Sequence, residues 1–177
     1  MAEIVLVTGG SRSGKSGYAQ SRAEALGGKR VFVATCPEVD AEMEERIRRH
    51  RRHRQGRGWE TREEPVELER VLRMVEADVV LVDCLTLWVS NLMYAAAGEG
   101  RDFGEDEVEE SSAGVMEACA GRAGKVFFVT NEVGSGIVPE NPLARRFRDL
   151  VGRCNQTVAG GADEVVLLVS GIPVRIK

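Results

Sequence analysis

Gly9-Gly10-Ser11-Arg12-Ser13-Gly14-Lys15-Ser16 decides the fold. It follows the apolar run at residues 4–8 and opens an amphipathic run at residues 16–26, which Gly27 and Gly28 close. GxxxxGK[ST] between an expected strand and an expected helix is the spacing of a loop that wraps phosphate oxygens. The composition follows from the chemistry. Backbone N–H groups must converge on an anion, and glycine permits the dihedrals this requires. The helix that begins near Lys15 adds the positive end of its dipole. Lys15 is expected to face solvent and ligand and to reach the outer phosphates as a point charge. The Ser16 hydroxyl is expected to ligate Mg²⁺.

Outward from the loop, apolar runs alternate with amphipathic ones. Strands are expected at residues 31–34, 59–62, 79–83, 125–130 and 164–169, with a short terminal run at 174–176 after a turn at Gly171. Helices are expected at 40–53, 66–75, 85–97, 105–119 and 143–159. This alternation predicts an α/β fold, a mostly parallel sheet flanked by helices. The strand runs are apolar without alternation, as helix cover on both faces requires. No repeat or long linker divides the 177 residues, so one domain over 1–177 is expected.

The net charge is −4, which argues against a basic coat for general nucleic-acid binding. Cys36, Cys84, Cys119 and Cys154 are widely spaced and form no CxxC pair, which reads as free, mostly buried thiols rather than a zinc site. No run approaches the roughly 20 apolar residues of a membrane helix, and no secretory signal is visible. A cytoplasmic protein is the expectation.

Two further segments carry chemistry. Val79-Val80-Leu81-Val82-Asp83 is an apolar run that ends on a carboxylate. At the carboxyl edge of a parallel sheet, Asp83 would hold Mg²⁺ directly or through water, or cap the following helix, or both. Arg46-Ile47-Arg48-Arg49-His50-Arg51-Arg52-His53-Arg54 contains both histidines of the chain. Like-charge repulsion among guanidinium groups disfavours a protonated imidazole, leaving it able to attack phosphorus. A solvated helix face, a nucleic-acid patch and a phosphate-handling site all remain open for this segment. Asn131 and Glu132 directly follow an expected strand and are candidate site residues, because ligands of parallel sheets bind beyond strand carboxyl ends. Arg145, Arg146, Arg148 and Arg153 lie on the next helix, as site cations or as exposed ones.

The pattern as a whole resembles the bifunctional adenosylcobinamide kinase/adenosylcobinamide-phosphate guanylyltransferase family of cobalamin biosynthesis. The resemblance rests on VTGGSRSGKS at residues 7–16, VATC at 33–36, RIRRHRRHR at 46–54 and WET at 59–61. It rests further on VDCLTLWVSNL at 82–92, TNEVGSGIVPENPLARRFRDLVGRCNQ at 130–156 and ADEVVLLVSGIPVRIK at 162–177. It implies a P-loop NTPase-like fold with a short C-terminal β-hairpin. It also implies two reactions: phosphorylation of the aminopropanol hydroxyl of adenosylcobinamide by ATP or GTP, then guanylyl transfer from GTP through a GMP–histidine intermediate. On this resemblance His50 is the nucleophile, with His53 as the alternative. Ala34, Thr35 and Cys36, with Arg51, Arg52, His53 and Arg54, join residues 9–16 in binding nucleotide. Glu63 is either a nucleotide contact or a solvated carboxylate. A homo-oligomer, a trimer, is implied as well. Two other readings stay open, a guanylyltransferase without kinase activity and a small-molecule P-loop kinase without a covalent intermediate.

Overall fold

The computed structural model describes residues 1–37, 48, 51, 52 and 54–177. Seven strands form one sheet: β1 (Glu3–Gly9), β2 (Arg30–Ala34), β3 (Trp59–Glu63), β4 (Val79–Asp83), β5 (Lys125–Val129), β6 (Glu164–Val169) and β7 (Ile172–Arg175). Their order is β3-β2-β4-β5-β1-β6-β7, and every pair is parallel except the hairpin β6–β7. The helices are α1 (Lys15–Glu24), α2 (Leu68–Met74), α3 (Leu85–Gly98), α4 (Glu105–Ala120) and α5 (Pro142–Gly161), with a 3₁₀ turn at Val133–Ser135. Most of the expected helix over 40–53, including His50 and His53, lies outside the described residues. Arg48, Arg51, Arg52 and Arg54 have helical backbone.

Successive strand residues point to opposite faces, so unbroken apolar runs fill two cores. Ile4, Leu6, Val80, Val82, Val126 and Phe128 meet α2, α3, α4 and α5 on one face. Val5, Val7, Val79, Leu81, Phe127 and Val129 meet the small Ala19–Ala23 stripe of α1 on the other. Among the described residues that second face has fewer helices, and cationic side chains extend its cover over aromatic rings. The Arg54 guanidinium lies 3.7 Å from the Phe32 ring centroid and Trp59 meets Phe32 edge-on at 6.0 Å. Arg22 stands 5.9 Å from the Phe127 centroid and binds Glu164 through two parallel hydrogen bonds of 2.7 and 2.9 Å.

All four cysteines are free thiols, and Cys84, Cys119 and Cys154 are buried. Burial is the main cause that pushes Cys84 and Cys119 up to about 12 and Cys154 up to about 11, from an ordinary value of 9.0. A raised acid means that the folded chain holds protons which the unfolded chain has released. The stabilisation is therefore complete below pH 9 and is lost as pH rises from there towards 11–12. Each buried thiol contributes a fall of up to about 1.4 kcal/mol per pH unit in that window. The urea midpoint is expected to drop between pH 8 and pH 10.5 and to drop less in Cys119→Ala. Equal drops in the two proteins would contradict this.

Candidate nucleotide site at the carboxyl edge of the sheet

The loop between β1 and α1 has the backbone its sequence requires. Gly9 sits at φ 154°, and a Cβ there would lie 2.6 Å from the Leu168 carbonyl oxygen and 2.7 Å from Ser13 Oγ. Gly14 is left-handed, φ 91°, and caps α1. Arg12 is left-handed as well, φ 56°. The terminal hairpin supports the loop from behind, because Gly171 N–H donates to the Ser13 carbonyl at 2.9 Å. Ser13 Oγ is buried and has no hydrogen-bond partner among the described residues, so a donor stands ready at the centre of the loop.

Lys15 differs from its expected exposure. It is 8% exposed, and its Nζ donates to the Gly10 carbonyl at 2.9 Å. A buried ammonium needs an acceptor, and the carbonyl of its own loop is within reach. The cation therefore lies across the phosphate loop instead of projecting from it.

Strand register places the other expected site residues along the same edge. Glu63 pairs with Ala34, Ala34 with Asp83, and Asp83 with Val129. Thr35 is fully buried. Its hydroxyl donates to the Cys84 carbonyl at 2.8 Å and accepts from Cys84 N–H at 2.7 Å, while its own N–H donates to the Asp83 carbonyl at 3.3 Å. Asn91 holds the Thr35 and Pro65 carbonyls at 2.7 and 2.9 Å. Thr35 thus joins the ends of β2 and β4 and steadies the segment that carries Asp83. Cys36 is half-buried beside it.

The described arginines of residues 46–54 line a pocket of about 650 Å³ with Gln55, Trp59 and Thr61. That volume is in the range of small-molecule sites, roughly 300–1,000 Å³. Arg48, Arg51 and Arg52 are exposed, and Arg51 pairs with Glu63. Arg54 is the exception at 5% exposed. Burial pushes its pKa down and Asp83 opposes that, so the guanidinium on Phe32 electrostatically links the pocket to the β4 carboxylate. His50 and His53 lie outside the described residues.

A Mg²⁺ ion fits the residues present. Ser16, the second residue of α1, is half-buried, as is Asp83 at the end of β4. Mg²⁺ keeps several waters and takes one or two carboxylates plus substrate phosphates, so one hydroxyl and one carboxylate beside a phosphate cradle suit it. Among the described residues no three His, Cys, Asp or Glu side chains converge as a metal cluster.

A buried polar chain behind the loop is not evident from the motifs. Thr130 Oγ1 donates to Asn155 Oδ1 at 2.7 Å, Asn155 Nδ2 donates to the Asn131 carbonyl at 3.1 Å, and Asn131 N–H donates to Thr86 Oγ1 at 2.8 Å. Thr8 Oγ1 donates to Glu132 Oε1. Thr8, Thr86, Thr130 and Asn155 are all buried. The available signal was Asn155, a polar residue on the stripe of α5 that otherwise carries Leu150, Val151, Cys154 and Val158. On the same helix, Arg146 and Arg153 pair with Asp102 and Glu105, and Arg145 holds the carbonyls of Pro139 and Glu140.

The chain is similar to flagellar accessory protein FlaH from Methanocaldococcus jannaschii, with TM-score 0.54 at 10% identity over 99% of this chain and 78% of that one, which bears on the fold alone. It is 43% identical to the bifunctional adenosylcobalamin biosynthesis protein CobU of Salmonella typhimurium (strain LT2), over 98% of this chain and 99% of that protein. It is 42% identical, with the same coverage, to the protein of that name from Escherichia coli (strain K12). The profile of the CobU family, described as cobinamide kinase / cobinamide phosphate guanyltransferase, matches residues 5–176. Matched over residues 5–176 by that profile and at 42–43% identity by these relatives, the chain belongs to the cobinamide kinase/cobinamide phosphate guanyltransferase family.

Proposed function

We propose that the chain phosphorylates the aminopropanol hydroxyl of adenosylcobinamide with ATP or GTP, then transfers GMP from GTP to the new phosphate, giving adenosylcobinamide-GDP and pyrophosphate. The observation that carries this reading is a built phosphate cradle together with a separate pocket lined by four arginines, in a chain that the family matches over residues 5–176.

In the first reaction, loop N–H groups and the α1 N-terminus hold the phosphates, and Lys15 moves from the Gly10 carbonyl to the outer phosphate oxygens. Ser16 and Asp83 would hold Mg²⁺, which would supply positive charge to offset that of the nucleotide phosphates. In the second reaction, His50 attacks the α-phosphorus of GTP and pyrophosphate leaves. The phosphate of the acceptor then displaces the imidazole. Neutral imidazole suits both steps, as a nucleophile and as a leaving group. Arg51, Arg52 and Arg54 steady the anion, and Glu63 sets the direction of Arg51. Ala34, Thr35 and Cys36, at and beyond the end of β2, contact the nucleotide. One domain over 1–177 carries both reactions, in a homo-oligomer, a trimer, in the reducing cytoplasm that free thiols suit. Among the described residues no helix is long and apolar enough to cross a membrane.

Product analysis tests the proposal. With adenosylcobinamide and Mg-ATP alone, the phosphate ester is expected; subsequent addition of GTP converts it to adenosylcobinamide-GDP. Product only when adenosylcobinamide phosphate is supplied would mean a guanylyltransferase alone. Phosphorylation without the second step would mean a simple kinase.

A further inference from the structure

Strand order puts a second carboxylate at the phosphate loop. β5 lies between β4, which ends in Asp83, and β1, which leads into the loop. The chain leaving β5 therefore emerges between the residue assigned to Mg²⁺ and the residues that hold phosphate. Glu132 N–H donates to the Gly9 carbonyl at 3.2 Å, which fixes this residue to the first position of the loop. Its Oε1 accepts from Thr8 Oγ1 and, at 3.5 Å, from Asn155 Nδ2. Its Oε2 has no hydrogen-bond partner among the described residues. The side chain is half-buried, with one oxygen anchored and the other without a partner among the described residues.

The buried chain Thr86–Thr130–Asn155 holds this carboxylate from below, with Thr86 Oγ1 and Thr130 Oγ1 3.2 Å apart. A satisfied polar network of this kind makes its members rigid. The other carboxylates of the edge have different partners, since Glu63 pairs with Arg51 on the far side of β2 and Asp83 is assigned to Mg²⁺.

We propose that Glu132 is the proton acceptor of the phosphoryl-transfer reaction, an assignment that rests on the kinase half of the function above. The substrate hydroxyl oxygen forms a bond to the γ-phosphorus. The bond from that phosphorus to the bridging oxygen breaks, and its electron pair leaves with ADP or GDP. The hydroxyl proton passes to Glu132 Oε2 and from there to water. Carboxylates serve this role in other phosphoryl-transfer enzymes. Guanylyl transfer needs no such base, because the attacking group is a phosphate monoester that is already ionised.

That asymmetry provides the test. Kinase and guanylyltransferase rates are measured in the same preparations of wild type, Glu132→Gln and Glu132→Asp, the second reaction started from supplied adenosylcobinamide phosphate. Gln keeps an acceptor for Thr8 and the size of the side chain, so the transferase rate reports on folding. The expected result in Glu132→Gln is a kinase kcat lower by ~100-fold or more, the KM for ATP within ~3-fold, and a kinase-to-transferase ratio lower by at least ~30-fold. A Glu132→Gln ratio equal to that of wild type, from an unchanged kinase rate or from equal losses, would overturn the assignment. A wild type without kinase activity would sink the kinase half itself, and this assignment with it.

Discussion

His50→Ala is expected to lose GMP labelling by [α-³²P]GTP completely and guanylyl transfer by at least ~10³-fold, while it still phosphorylates adenosylcobinamide. The size follows from the chemistry of a covalent pathway. Without the imidazole no P–N bond forms, and arginines in the pocket cannot substitute, because a guanidinium has no free electron pair to donate. In the wild type the label should be acid-labile and alkali-stable. Label retained in His50→Ala and lost in His53→Ala would move the nucleophile to His53. Label retained in both would remove histidine from the mechanism.

Lys15→Ala is expected to reduce phosphoryl transfer by ~10²–10³-fold, the usual loss when one preorganised charge at a reacting group is deleted. The fold should survive, for a reason different from simple exposure. Lys15 is buried, but the carbonyl it satisfies belongs to Gly10, which is exposed, and water can replace the ammonium there. A urea midpoint close to wild type combined with the loss of turnover is the expected pair of results. Unfolding would assign Lys15 a structural role, and full turnover would remove it from the site.

Much of the fold can be read along the chain, and the exceptions have local causes. The run Val79–Asp83 is a strand with the expected bounds. α5 begins earlier than expected because Asn141 Oδ1 accepts from the N–H groups of Leu143 and Ala144 and Pro142 takes the first helical position. α2 begins later, at Leu68, because the N–H groups of Val66 and Glu67 both donate to Glu64 Oε1 in a turn. β7 runs over Ile172–Arg175 because left-handed Ser170 and Gly171 turn the chain back onto β6 at once.

The site divides in the same manner. A phosphate loop is a local motif, so its glycines, Lys15 and Ser16 are legible in order. The relation of Glu132 to Gly9 depends on which strand lies beside β1, and no local pattern encodes that. Arg54 shows the same limit. In sequence it is one cation among several, yet the position of Phe32 on the neighbouring strand places it on an aromatic ring beneath the pocket. Lys15 illustrates a further one, since composition predicts its charge but not the carbonyl that buries it.

The most direct measurement is the intact mass of the wild-type protein after incubation with Mg-GTP. The account predicts a gain of one GMP unit, reversed by pyrophosphate and discharged by adenosylcobinamide phosphate as adenosylcobinamide-GDP appears. An unchanged mass while adenosylcobinamide-GDP still forms would contradict it.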